Sequence, residues 1–244
     1  MNKPARPWGL VALVLVMLGL FVSLGVWQVN RARYKQTLVD KAVARESGAE
    51  IPLPLDLDDY SGLRYQPVSA VGRYDVDHQL LLDNQVRKGQ AGYSVLTPFR
   101  IRGADRYVLV DRGWIPMGLT RQLLPDVGFT QKAVEIHGTA YTPFGKGFHL
   151  GGMDDGEFMW PRVIQFVDFG ALSERLGYHL LPVIVRLSPD APNGYLRQWK
   201  VVNMGPMRHW GYAFQWFALA LAMLVILVVL FTRWGKHDGK ESAP

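Results

Sequence analysis

The chain has 244 residues, 27 basic against 21 acidic side chains, 12% aromatic residues and no cysteine. That length allows one or two ordinary domains, and the composition excludes disorder and collagen-like repeats. Without cysteine there is no disulfide scaffold, thiolate zinc site, iron–sulfur cluster or covalently attached c-type haem.

The net charge of +6 divides unevenly. Residues 1–30 carry +2 and residues 210–244 carry +1, both beside apolar runs, while residues 31–209 hold 22 basic and 19 acidic side chains. No basic stripe marks the middle, which argues against a nucleic-acid surface. Positive ends beside apolar runs are what membrane flanks look like.

After a short tail (1–7), Trp8 to Val29 contains no charged side chain, enough to cross the roughly 30 Å of a bilayer core. Trp8 and Trp27 stand 19 positions apart, about 28 Å of helix, in an aromatic-belt arrangement. A cleaved signal peptide is the rival reading, with Ser23-Leu24-Gly25 as a weak cut site. The run is long for a signal core, and Val26 and Trp27 follow the cut, so an uncleaved span is expected. Only seven residues precede it, too few for an Arg- and Ser-rich organelle presequence.

The next segment, 30–209, reads as one domain. Arg31, Tyr34, Leu38 and Ala42 at helical spacing extend the first span to about Ser47, and Ile51-Pro52-Leu53-Pro54 stops it. Strands are predicted at Pro67–Tyr74, Gln79–Leu82, Tyr93–Ile101, Tyr107–Ile115, Ala133–Tyr141, Val163–Val167, Val183–Leu187 and Leu196–Val202. Asp83-Asn84, Gly103-Ala104 and Asn193-Gly194 supply turn chemistry. Asp168 to Gly177 has an Asp N-cap and a terminal Gly around a short helix. Trp210 to Thr232 is a second uncharged run with Trp210 and Trp234 at its ends, followed by a tail (233–244). The predicted class is α+β: two transmembrane helices flanking a mainly antiparallel, β-rich extramembrane domain.

Two spans put both termini on one side. Lys3 and Arg6, with Arg233, Lys236 and Lys240, place them in the cytoplasm. Arg31, Arg33 and Lys35 oppose this, but a long loop translocates largely regardless of charge. The middle is therefore expected in the periplasm, with the chain in a bacterial inner membrane.

Catalytic signatures are sparse. There is no H-E-x-x-H, G-x-S-x-G or Walker A pattern. Gly145-Lys146-Gly147 with Gly151-Gly152 reads as a flexible loop. Asp154, Asp155 and Glu157, like Asp56, Asp58 and Asp59, read as solvated acids rather than a cation site. His78, His137, His149 and His179 lack ligand spacing. A hydrolase would need a pocket joining Asp111, His137 or His149 with a serine.

His209 stands apart. Gly205-Pro206 supplies an N-cap and first helical residue, which puts His209 in the first turn at the mouth of the second span. Ionisable groups are costly there and often functional. His209, Tyr212, Ala213 and Trp216 share one helical face, and a small Ala213 between aromatics suggests a slot for a flat ring. Arg208, with Arg31 and Lys35 at the facing end of the first span, has the charge to pair with propionates. The alternative is an interfacial histidine with its polar edge in water.

The blocks Leu24-Gly25-Val26-Trp27-Gln28, Gly72-Arg73-Tyr74, Val108 through Pro116 and His209 through Phe217 together resemble the Surfeit locus protein 1 family of assembly factors for terminal haem–copper oxidases. Leu24-Gly25-Val26-Trp27-Gln28, with Arg31, Lys35 and Leu38, resembles that family's exit from its first span. Gly72-Arg73-Tyr74, Gly92-Tyr93 with Leu96-Thr97-Pro98, and Val108 through Pro116 resemble its strands. His209-x-x-Tyr212-Ala213-x-Gln215-Trp216-Phe217 resembles the start of its second span. Gln85, Asp111 and Met207-Arg208 depart from the common pattern, where arginine, asparagine and small polar residues are usual. The resemblance implies a non-enzymatic role: inserting haem a into the oxidase catalytic subunit, alongside the haem a synthesis enzyme and within membrane lipid. It implies His209 as the residue on the haem iron, with Tyr212, Trp216, Arg208, Arg31, Gln28 and Lys35 around it. A docking scaffold without haem transfer is the alternative. Gly113, Trp114 and Pro116 are expected to be structural. A two-span sensor is disfavoured by tails too short for an output domain.

Overall fold

Nothing between Trp8 and Glu46 breaks a helix: there is no proline, and residues 30–46 are rich in Ala, Arg, Lys, Gln and Leu, which favour helix. The computed structural model describes residues 8–118, 123–129, 133–143, 160–199, 201–202 and 204–238. In it α1 runs unbroken from Trp8 to Glu46, about 58 Å at 1.5 Å per residue. The chain divides into two units, residues 1–41 with 201–244, and residues 42–200.

In the second unit β1 (Ile51–Pro52) lies parallel to β2 (Pro67–Tyr74). Then follow β3 (Leu80–Arg87), β4 (Gln90–Ile101), β5 (Tyr107–Pro116), β6 (Val134–Tyr141), β7 (Arg162–Ile164), α2 (Phe169–Leu176) and β8 (Leu180–Leu187). The strand order is β1-β2-β6-β8-β5-β4-β3-β7, and a β2–β4 pairing joins the sheet to itself. Strands β2, β6, β8, β5 and β4 thereby form a closed ring. Most pairings are antiparallel; β1–β2, β3–β7 and β5–β8 are parallel.

Alternation explains the ring. Val68, Ala70, Tyr74, Phe99, Val108, Val110, Ile136, Ala140, Leu181, Val183, Val185 and Leu187 form one core. They lie on one face of the five ring strands, at alternate positions, as the pleat requires. The opposite faces of β5 and β8 are not solvated. Leu109, Leu180 and Ile184 pack with Leu80, Leu96, Ile164 and Leu172 of α2. Two buried faces explain why these strands read as nearly continuous apolar runs. Helix α2 starts at Asp168, whose side chain accepts from the Ala171 N–H at 3.1 Å. It ends at Gly177 in the left-handed region, as its caps predict.

The structure corrects two sequence expectations. Asp83-Asn84 is not a turn but an irregularity within β3, with Asn84 at φ 60°; Lys88-Gly89, both at positive φ, close the β3–β4 hairpin, as a two-residue turn demands. Leu196 onward is not a strand. Leu196 makes one isolated bridge to Trp114, and side chains replace the ladder. Arg197 Nη1 donates to the carbonyls of Ser188 and Ala191 at 2.7 Å, and Trp199 Nε1 to that of Leu187 at 3.2 Å. Gly113 has φ +115°, and a Cβ there would lie 2.9 Å from Arg197 Cγ. Trp114 is buried with Nε1 donating to the Gln85 carbonyl at 2.8 Å.

Asp111 is buried beside Ser94, whose hydroxyl lies 2.9 and 3.0 Å from its two oxygens, and Oδ1 accepts from the Gly113 N–H. Burial raises its pKa, outweighing the hydrogen bonds and the charges of Arg186 and Arg87. The folded state thus holds its proton to higher pH than the unfolded chain, so this residue's contribution falls as pH rises through the folded value. Asp111→Asn is expected to melt above wild type at pH 7, the difference shrinking as pH drops below the ordinary carboxylate range. Parallel pH-dependent melts would refute this if the gap were constant.

Candidate functional site

The first unit is built by α1 and α3 (Pro206–Asp238). Both are long and apolar enough to cross a bilayer. Their less exposed residues recur at alternating steps of three and four: Val11, Val14, Leu18, Phe21, Gly25, Gln28, Ala32 and Lys35 on α1, and His209, Ala213, Trp216, Ala220, Met223, Leu227 and Leu230 on α3. That period is the seam of left-handed helix packing. Three contacts fix its register. The Phe21 and Trp216 rings stack at 5.8 Å. A Cβ on Gly25 would lie 2.7 Å from the Phe217 ring, so the glycine admits that ring, as small residues do between membrane helices. His209 Nδ1 lies 2.8 Å from Gln28 Oε1. Ascending numbers on one helix meet broadly descending numbers on the other, so the pair is antiparallel.

The His209–Gln28 bond joins residues 181 positions apart. Gln28 is 9% exposed and His209 7%. Gln28 Oε1 is an acceptor, so Nδ1 is the donor of this bond, and Nε2 lies outside it. Among the described residues Nε2 makes no hydrogen bond. A ring held at Nδ1 with a free Nε2 is how ligating histidines are oriented.

The other predicted site residues fall into two groups. Gln28, His209 and Trp216 lie on the seam, with half-buried Lys35 one step beyond Ala32. Arg208, Tyr212 and Arg31 are exposed beside it, Arg31 over the Tyr34 ring at 5.4 Å. Ala213 is 2% exposed, so the slot its small side chain suggested is covered rather than open.

The residues proposed for a hydrolase do not converge. Asp111 holds Ser94, but exposed His137 pairs with Glu50 at 3.0 Å. His78 binds Asp75, which also accepts from the Tyr178 hydroxyl. Asp59 caps Ser61. His149, the 145–152 glycine loop and the 154–157 acids lie outside the described residues. Among the described residues no cluster of three His, Asp or Glu is placed to hold a metal.

Arg112 is the residue that motif reading passed over. It is 2% exposed. Its Nη1 donates to Gln79 Oε1 at 2.7 Å, Val127 O at 3.2 Å and Thr97 Oγ1 at 3.4 Å, and its Nε to Asn193 O at 2.8 Å. The available signal was its parity: it continues the inward row of Val108 and Val110.

The SURF1 family profile matches residues 15–221. A SURF1-like protein of Monosiga brevicollis is 24% identical over 97% of this chain and 92% of its own length. Surfeit locus protein 1 of Xenopus tropicalis is 25% identical over 91% of this chain and 75% of its own. That of Homo sapiens is 30% identical, over 45% of this chain and 40% of its own.

Proposed function

The chain belongs to the SURF1 family, and on that premise we propose that it is an assembly factor for a haem–copper terminal oxidase. It holds haem a through His209 and passes it to the oxidase catalytic subunit. Haem a is cargo here, received from its synthesis enzyme. The protein sits in a bacterial inner membrane with its β domain in the periplasm and its termini in the cytoplasm, the side that Lys3, Arg6, Arg233, Lys236 and Lys240 favour.

The observation that carries this reading is the Gln28–His209 hydrogen bond. It orients the imidazole through Nδ1 and leaves Nε2 uncommitted, the atom by which a histidine ligates an iron porphyrin. Aromatic Trp216 and Phe21 line the same seam, and Arg208, Arg31 and Lys35 offer cations for propionates. One axial residue suits a carrier that must also release. Because His209 is nearly covered, a ligand reaches Nε2 only as the ring or the helix pair shifts.

That burial also favours a second reading. A buried, hydrogen-bonded histidine between two spans serves as an interhelical clasp, and the protein then docks oxidase subunits without carrying haem. An optical spectrum of the detergent-purified chain, co-expressed with haem a synthesis enzymes, separates the two. A reduced haem a band is expected in wild type and its complete loss in His209→Ala, with the variant still folded in the membrane. Equal haem in the variant would remove His209 as ligand; no band in either would leave the scaffold.

A further inference from the structure

On the outer face of the barrel, where β2 meets β4, arginines gather without acidic partners. Arg73 and Arg100 are directly opposite in the β2–β4 ladder, and both are exposed. Opposed side chains in an antiparallel pair have Cβ atoms about 5 Å apart, and like charges there are unfavourable. Arg102 lies just past the end of β4, where its N–H continues the ladder to the Val71 carbonyl at 2.8 Å, which keeps it on the side of Arg100 and roughly 7 Å further along. All three line a concavity of about 830 Å³, bounded by the Gly103-Ala104-Asp105 turn and Ala133. Asp105 is the one carboxylate among the described residues of that lining. Among the described residues, none of the three arginines makes an ion pair or side-chain hydrogen bond.

A local rule broken this way, with no compensating contact, marks a surface shaped for something other than stability. Arg100 is paired on both sides, with Arg73 and with Tyr107. At Arg100 the groove therefore offers side chains rather than an open strand edge. We propose that it docks an extended acidic segment of a partner protein, with carboxylates at alternate positions. An extended chain repeats same-face side chains about every 7 Å, which matches the step from Arg100 to Arg102. Guanidinium forks take carboxylates in two-point contacts. A compact phosphate would fill little of this volume and meet only one or two of the spread forks. A flat lipid surface does not follow a concavity. The assembly-factor reading supplies only the source of the partner; the groove does not involve His209, so the spectral test and this one fail independently.

The test uses the full chain in non-ionic detergent and a fluorescein-labelled octapeptide with glutamate at alternate positions between serines. Fluorescence anisotropy at low salt is compared for wild type, Arg73→Ser/Arg100→Ser/Arg102→Ser, and a charge-matched control, Arg33→Ser/Lys41→Ser/Lys88→Ser. The arginine triple is expected to weaken binding about tenfold or more, the control less than twofold, and a glutamine version of the peptide to bind neither. Arg100→Ser alone relieves the facing charges, so its melting temperature should equal or exceed wild type. Lost affinity in that variant is then not lost fold. Equal weakening by the control, or no binding of the glutamate peptide to wild type, overturns the proposal. Arginine-dependent binding of anionic-lipid vesicles without peptide binding overturns it in favour of a membrane surface.

Discussion

Arg112→Ala is expected to destabilise the β domain by about 3–5 kcal/mol, enough to loosen its tertiary packing at 37 °C. Most small domains have only about 5–15 kcal/mol in total. The guanidinium is buried at one end of the barrel, and burial pulls its pKa down. Among the described residues no carboxylate bonds it; its partners are Gln79, Thr97 and the carbonyls of Val127 and Asn193. Phe129 stacks at 4.0 Å and Tyr195 lies at 5.1 Å. One side chain thus ties β4, β5, the segment around Val127 and the 193–195 turn. Truncation would leave the buried Val127 carbonyl without this donor, at about 1–3 kcal/mol, and open a large void. Arg112→Met fills much of the space but leaves the Val127 carbonyl without its donor, so it should recover only part of the loss. Near-ultraviolet circular dichroism and thermal melts of the full chain in detergent provide the check. A variant melting within a few degrees of wild type would mean that water replaces the guanidinium at little cost.

That arginine shows where sequence reading stopped. Its neighbours Gly113, Trp114 and Pro116 were legible because each has a local meaning: a left-handed φ, a large core ring, the end of a ladder. Arg112 has none, and a charged residue in a motif invites a surface or partner role. Its inward parity with Val108 and Val110 becomes informative only once β2 pairs with β4 and closes the ring. The sheet period of two places side chains on faces but cannot choose which strands meet. For the same reason β2, β5 and α2 were predicted nearly to the residue, while the parallel pairing of β5 with β8 was not foreseen. Leu196–Val202 has strand-like composition, but Arg197 and Trp199 spend their donors on distant carbonyls. At the spans, His209 and Gln28 were each conspicuous as polar residues at the ends of apolar runs. That they are partners depends on the register of two helices, which Phe21–Trp216 and Gly25–Phe217 fix. Helical spacing put Tyr212 with His209, yet the alternating three- and four-residue seam leaves Tyr212 exposed beside it.

Gln28→Leu should lower the haem a content of the purified protein by about 10- to 100-fold, the usual cost of losing the group that orients a ligating histidine. Leucine fills a similar volume and suits a membrane seam, so the helices stay paired. An interhelical hydrogen bond in lipid contributes only about 0.6–2 kcal/mol, and the aromatic stack and the Gly25 contact are untouched. What changes is the imidazole. With the Gln28 carbonyl gone, Nδ1 has no acceptor, and nothing selects the tautomer that leaves Nε2 basic. Gln28→Glu keeps an acceptor at the same reach and makes it anionic, so it should retain haem at or above the wild-type level. The three spectra, read beside His209→Ala, separate the roles. A fall in Gln28→Leu with retention in Gln28→Glu means that the bond tunes a ligand. Full haem in Gln28→Leu together with none in His209→Ala would mean that His209 binds unaided and that Gln28 is only a clasp.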